Sequence, residues 1–297
     1  MKNQLLIIVF FISNFCFSQI KAVIFDKETK EKISYVNIWI ENENIGTTSN
    51  ENGEFLIDNS KGEILILSSL GYETMKINLK EVPSKIFLIP KSYELDEVIV
   101  STKKESKEKI IGKFQDSEIG FYYATEKNPE IKARLFDYDT SYAETPFLKS
   151  IKFRIYSDIK KAKFNIRFYS VGDNGQPDKP ICEKNIIGIS KKGTKNLEID
   201  LSALNIYFPN DGLFVSYEWL IIEENEFNMS VPTQDSNKRI EKTLYGPKVG
   251  LLPVTKNTNS WLYRNGKWEK VDKFKGNSPK PYLDNYGILA IELTLTN

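Results

Sequence analysis

Apolar residues in this chain recur at every second position over short runs, and clusters of Gly, Pro, Asn and Asp divide one run from the next. A period of two belongs to a β-strand, whose side chains alternate between its faces. The runs 20–25 (IKAVIF), 35–40 (YVNIWI), 54–57, 63–68, 72–79, 85–89 and 97–100 predict a set of short strands. In 35–40 the alternation places Val36, Ile38 and Ile40 on one face, and Tyr35, Asn37 and Trp39 on the other. No long segment of helical period interrupts residues 20–100, so low helix content is expected there.

The composition changes at 101–113, STKKESKEKIIGK, where six of the first nine residues are charged and none of those nine is apolar. That predicts an exposed linker between two strand-rich regions. From 114 to 297 the pattern is again β. Phe164, Ile166 and Phe168 alternate with Asn165, Arg167 and Tyr169, and further strands are expected at 197–201, 213–222 and 288–295. Turn residues at 172–175, 209–212 and 265–266 separate them. So many strands over this length predict an all-β chain whose larger second domain is a jelly-roll-like β-sandwich.

The sequence has 297 residues and no histidine. Ser-His-Asp and Cys-His catalysis are excluded, as is any metal site that needs imidazole. With 41 basic against 40 acidic side chains, no basic face for nucleic acid is expected. Residues 1–18 read as a signal peptide: Lys2 gives a positive start, 5–12 (LLIIVFFI) is the apolar stretch, and Cys16 and Ser18 are small residues before a cut at Gln19. The apolar stretch is too short to span a bilayer, so an exported chain without a transmembrane span is expected, in the periplasm or on the outer cell surface. Removing 1–18 leaves Cys182 as the one cysteine, which allows no internal disulfide. With no histidine to activate it, Cys182 is expected to be a small buried hydrophobe.

Five blocks in order carry a resemblance: Val23-Ile24-Phe25-Asp26, Tyr35-Val36-Asn37-Ile38, 46–55 (GTTSNENGEF), Ser68-Ser69-Leu70-Gly71-Tyr72 and 95–100 (LDEVIV). They are similar to the carboxypeptidase-regulatory-like domain over residues 20–100, with Ala22 where that family usually has glycine. The resemblance implies a prealbumin-like Greek-key β-sandwich over 19–100. It also implies an accessory role, since such domains stand beside metallocarboxypeptidases and ahead of outer-membrane receptors of Bacteroidetes-like bacteria. Without histidine the chain cannot hold a carboxypeptidase zinc. Part of the second domain, 164–177, loosely resembles carbohydrate-binding and adhesion jelly rolls.

The segment 261–268, WLYRNGKW, has Asn265-Gly266 between aromatic runs, a strong hairpin signal. A two-residue loop pairs Arg264 with Lys267 and Tyr263 with Trp268, and puts Trp261 on their face. Trp261, Tyr263 and Trp268 are therefore candidates to stack on a sugar or a partner protein, unless that face covers the sandwich core. Tyr35 and Trp39 are candidates for an interface, with the second domain of the same chain as one partner. The turn 173–178 predicts a plain hairpin loop, with calcium as the alternative, and the acidic run 223–226 a solvated loop. The reading that follows is a non-catalytic cell-envelope accessory protein recognising a glycan or a protein, with no catalytic residue, cofactor or metal expected. The alternative is a histidine-free carboxylate hydrolase acting on glycans through Asp137 and Asp139 in the second domain.

Overall fold

The computed structural model describes residues 19–58, 62–91, 106–193, 195–232, 239–256, 260–276 and 278–297. The expected leader at 1–18 and the strand expected at 97–100 lie outside the described residues. Within them the chain is all-β, with short 3₁₀ turns and no α-helix.

The first strands are β1 (Gln19–Asp26), β2 (Asn37–Ile40), β3 (Gly46–Thr48), β4 (Glu54–Asp58), β5 (Ile64–Ser68), β6 (Met75–Asn78) and β7 (Lys85–Leu88). They form a three-stranded sheet, β4-β1-β7, and a four-stranded sheet, β3-β2-β5-β6. The two close on one core of Ile24, Val36, Ile38, Ile40, Phe55, Leu65, Leu67 and Leu88. Each such side chain, once buried, stabilises by about 1.5–3 kcal/mol. The alternation in 35–40 works as the sequence predicts for Val36, Ile38 and Ile40, but the strand starts at Asn37. Tyr35 sits at φ 58, a left-handed conformation that no strand admits.

The second unit begins earlier than the expected linker allows. After the residues outside the description, β8 (Glu108–Ile111) already pairs with the last strand of the chain. Then come β9 (Phe121–Thr125), β10 (Ile131–Phe136), β11 (Phe147–Tyr156), β12 (Ala162–Val171), β13 (Pro177–Pro180), β14 (Ile186–Ser190) and β15 (Asn196–Asp200). The last are β16 (Leu213–Trp219), β17 (Glu226–Pro232), β18 (Arg239–Val254), β19 (Ser260–Arg264), β20 (Lys267–Lys270), β21 (Tyr286–Leu289) and β22 (Ile291–Thr296). The single strand expected at 288–295 is two. Ala290 marks the step where the chain leaves β18 and joins β11.

A seven-stranded sheet runs β13-β12-β16-β10-β19-β20, with β14 beside β12. An eight-stranded sheet runs β17-β18-β11-β22-β8, with β15, β9 and β21 alongside. Between them lies the main core, with Phe153, Phe164, Tyr217 and Trp219 wholly buried. Phe164 stacks on Tyr217 with ring centroids 4.4 Å apart. Tyr217 Oη and Trp219 Nε1 both donate to the Pro247 carbonyl, at 2.9 and 3.2 Å, so their polar tips are satisfied in an apolar layer.

The two sandwiches dock through backbone. The short edge strand β3 is covered by the second unit: Gly46 N–H donates to Lys127 O at 2.9 Å and Thr48 N–H to Ile221 O at 3.1 Å. Ile221 N–H returns a bond to Thr48 Oγ1 at 3.0 Å. An unpaired strand edge is a template for mispairing with another chain, and here it is covered by the same chain. Gly46 is needed for this approach, because a Cβ there would lie 2.4 Å from Pro129 Cδ.

Candidate functional site

Strand order in the seven-stranded sheet fixes which side chains meet on its outer face. Leu213, Val215, Tyr217 and Trp219 of β16 point into the main core, so Phe214, Ser216 and Glu218 point out. Cross-strand register then aligns Asn165, Glu218, Ile131, Tyr263 and Trp268 in one row across five strands. The next row is Arg167, Ser216, Ala133, Trp261 and Lys270. The first sandwich meets this face at Glu218, through Asn37, and residues of both line a cleft there.

The two sandwiches are stitched at the cleft base by a buried carboxylate. Glu218 is wholly buried. Its Oε1 accepts from Asn37 Nδ2 of β2 at 2.5 Å. Its Oε2 accepts from Asn165 Nδ2 at 2.8 Å and from Arg167 Nε at 2.6 Å. Burial is the largest influence and works against the Arg167 charge, but the Glu218 carboxylate, together with Tyr169 and Tyr263, holds the guanidinium above its ordinary pKa. Asn165 and Arg167 fall on the polar face that alternation assigns to 164–171. The missed residue is Glu218, and its only local signal is a charge between Tyr217 and Trp219 in an otherwise apolar strand.

The cleft has a volume of about 460 Å³. From the first sandwich it is lined by Asn37, Ser68, Tyr72 and Glu73, and from the second by Arg167, Tyr169, Asp178, Glu218, Tyr263 and Trp268, among others. Trp268 packs edge-on against Tyr169, with centroids 5.5 Å apart, and against Tyr263 at 5.2 Å. Tyr263 is half-buried, and burial pushes its hydroxyl up, against the pull of a hydrogen bond with Ser68. It therefore stays neutral and able to donate at any physiological pH.

The hairpin register is the one the two-residue loop predicts: Arg264 pairs with Lys267, and Tyr263 with Trp268. Asn265 and Gly266 take φ 51 and 81, as a tight primed turn requires. The face does not cover the main core. It is the outer face of the sheet, and its three aromatics part company there. Tyr263 and Trp268 line the cleft, while Trp261 is 7 % exposed and packs on Ala133, Tyr169 and Phe214. The Lys270 ammonium lies 5.4 Å from its ring centroid. Trp261 is thus a packing residue beside the site, because Ala133, Tyr169 and Phe214 cover its ring.

Tyr35 is buried against Leu220, Ile222 and Ile187 of the second sandwich. Trp39 is buried beside the hairpin turn, its ring 3.4 Å from where a Gly266 Cβ would stand. It lines a neighbouring cleft of about 770 Å³ together with Tyr263, Gly266 and Lys267.

Asp137 and Asp139 do not share a strand face, because β10 ends at Phe136. Both are exposed, neither lines the cleft, and Asp139 caps a 3₁₀ turn by accepting from Ser141 N–H at 2.9 Å. The turn at 173–178 closes on itself, with Gly172 N–H bonded to Gln176 O at 2.9 Å. Among the described residues no group of three or more Asp, Glu or Cys side chains is placed to hold a metal ion. In the acidic run 223–226, Glu223 and Glu224 are exposed as expected. Asn225, however, is wholly buried and bonds Lys163 O at 2.7 Å and Leu220 O at 2.8 Å. Cys182 is half-buried against the main core. No helix among the described residues is long and apolar enough to cross a membrane.

Residues 20–100 match the CarboxypepD_reg-like domain family. No curated protein matches the chain. Among solved structures, a clostridial cysteine protease, Cwp84, after propeptide cleavage is similar at 14 % identity and a TM-score of 0.39, over 89 % of this chain and 65 % of that one. The cysteine protease and lectin-like domains of Cwp84, a surface layer associated protein of Clostridium difficile, align at 12 % identity and a TM-score of 0.37, over 89 % and 58 %. This chain therefore spans less than two thirds of either structure. A likeness at those TM-scores is too loose to carry an activity across.

Proposed function

We propose that the chain is an exported, non-catalytic binding protein of the cell envelope, and that the cleft between its sandwiches holds a glycan. The carrying observation is the convergence of Tyr169, Tyr263 and Trp268 with hydrogen-bonding groups from both sandwiches in one open cleft. The C–H faces of a sugar ring pack on aromatic rings, and its hydroxyls need donors and acceptors beside them. Export rests on the leader-like 1–18 and on the accessory character of the first domain's family. A binding role suits the state of Glu218, whose two oxygens already accept three hydrogen bonds, which leaves it poorly placed as a general base. The test is a broad glycan array probed with residues 19–297. Retention of a defined glycan class by the folded protein supports the reading, and an empty array together with an empty pull-down from envelope extract overturns it.

A second reading, a carboxylate hydrolase acting on glycans, shifts from Asp137 and Asp139 to Glu73 and Asp178, which line the cleft from opposite sandwiches. Turnover of the captured glycan that disappears in Glu73→Gln/Asp178→Asn selects it, and recovery of the glycan intact rejects it.

A further inference from the structure

We infer that the cleft selects glycans carrying an acidic group, a carboxylate or a sulfate, and that the Arg167 guanidinium receives that group. The inference rests on the proposed glycan site and names its ligand class. Arg167 lines the cleft with a side chain only 4 % exposed. A guanidinium carries five N–H donors in a planar fork. Among the described residues, only Nε–H has an acceptor, the Glu218 carboxylate at 2.6 Å. Nη1 is buried with no hydrogen-bond partner at all. A buried donor without an acceptor costs free energy, more so on a charged group, and an arriving anion removes that cost.

Glu218 does not fill this role, because it meets the guanidinium at Nε alone and divides its oxygens with Asn37 and Asn165. The pair neutralises the charge and leaves the forked edge of the guanidinium unused. The other charged groups lining the cleft are Glu73, Asp178 and Lys91, all exposed. Water and salt screen charges at an exposed rim within about 8 Å at physiological ionic strength. Arg167 stands at the base with its side chain almost wholly buried, where a charge–charge hydrogen bond is screened far less. The unused donors of Arg167 at the base, with Glu73 and Asp178 at the rim, favour a ligand that points one acidic group inward and presents neutral hydroxyls outward. Tyr169, next but one to Arg167 on β12, stands beside it to pack the ring that bears the acidic group.

The test titrates the full chain with uronic-acid and sulfated oligosaccharides, each beside its own carboxyl-reduced or desulfated form. At least one acidic member is expected to bind about tenfold more tightly than its neutral counterpart, with a preference that shrinks as salt rises. Whether the uronic or the sulfated series carries the preference tells which anion is read. The variant Arg167→Met/Glu218→Gln removes both charges together and is expected to bind acidic and neutral forms alike. Should that variant fail to fold by its thermal melt, the comparison on the unaltered protein still decides. Neutral forms binding as tightly as acidic ones overturns the acidic selectivity and leaves the glycan site standing. Binding of neither series overturns both.

Discussion

Asn37 of the first sandwich donates its side-chain amide to Glu218 of the second at 2.5 Å, and that carboxylate is wholly buried. The contact joins residues 181 positions apart and makes the two sandwiches share one polar network with Asn165 and Arg167. Removing one partner of a buried ion pair leaves an uncompensated charge, which costs about 3–5 kcal/mol. Glu218→Ala is expected to destabilise the protein by that amount. Asn37→Ala, which breaks one hydrogen bond to a charged group, is expected to cost about 1.5–3 kcal/mol. Urea unfolding of both single variants and the double variant checks the coupling. The double variant should cost clearly less than the two singles added together, and strict additivity would mean that the contact is not made.

Gly46→Ala tests the docking itself. The added methyl would meet Pro129 Cδ at 2.4 Å and the Ile38 carbonyl oxygen at 2.9 Å. The cost is expected at about 1–3 kcal/mol, shared between the docking at Pro129 and the β2–β3 pairing at Ile38. Solution scattering should show a more extended particle, and thermal unfolding should separate into two transitions.

Trp268→Ala is expected to weaken glycan binding by about 2 kcal/mol, roughly thirtyfold in Kd. Trp261→Phe is expected to change binding by less than about threefold and to lower the melting temperature instead, since that ring packs beside the cleft. Calorimetric titration and a thermal melt of each variant separate the two roles. Equal loss of binding in both would return Trp261 to the site.

Lys132 gives a pH signature. Burial lowers its ammonium from 10.5 to about 8, with the nearby Glu130 carboxylate pulling it back up. Between those values the unfolded chain binds the proton and the folded chain does not. Stability from this group therefore rises with pH across about 8 to 10.5, and below 8 the full penalty, about 3 kcal/mol, is present. Lys132→Met is expected to be the more stable protein at pH 7, with the gap to the unaltered chain closing as pH approaches 10.5. Tyrosine ionisation is common to both and cancels in the difference. Parallel stability curves would contradict the assignment.

Much of this was legible in the residues. Alternation in 35–40 placed Val36, Ile38 and Ile40 in a core, and Asn265-Gly266 set the hairpin register down to the Tyr263–Trp268 pair. Alternation assigns a face but not its cover. It could not say that Glu218 meets Asn37 of the first sandwich, or that Trp261 is covered by Ala133, Tyr169 and Phe214 while Tyr263 and Trp268 line the cleft. Those facts rest on the strand order β12-β16-β10-β19-β20 and on the docking of the sandwiches, which join segments far apart in sequence. Tyr35 was misread as strand because nothing in its neighbours signals a φ of 58. Ala290 was hidden inside one apolar run because a strand can change partners without changing its pattern.

In the proposed function both sandwiches hold one ligand between them. Hydrogen–deuterium exchange, with and without the glycan selected on the array, tests it most directly. Slower exchange on binding is expected in two places together: the segment 68–74 of the first sandwich, and β19 with β20 of the second. Slowing confined to one sandwich, or lying away from the cleft altogether, would contradict it.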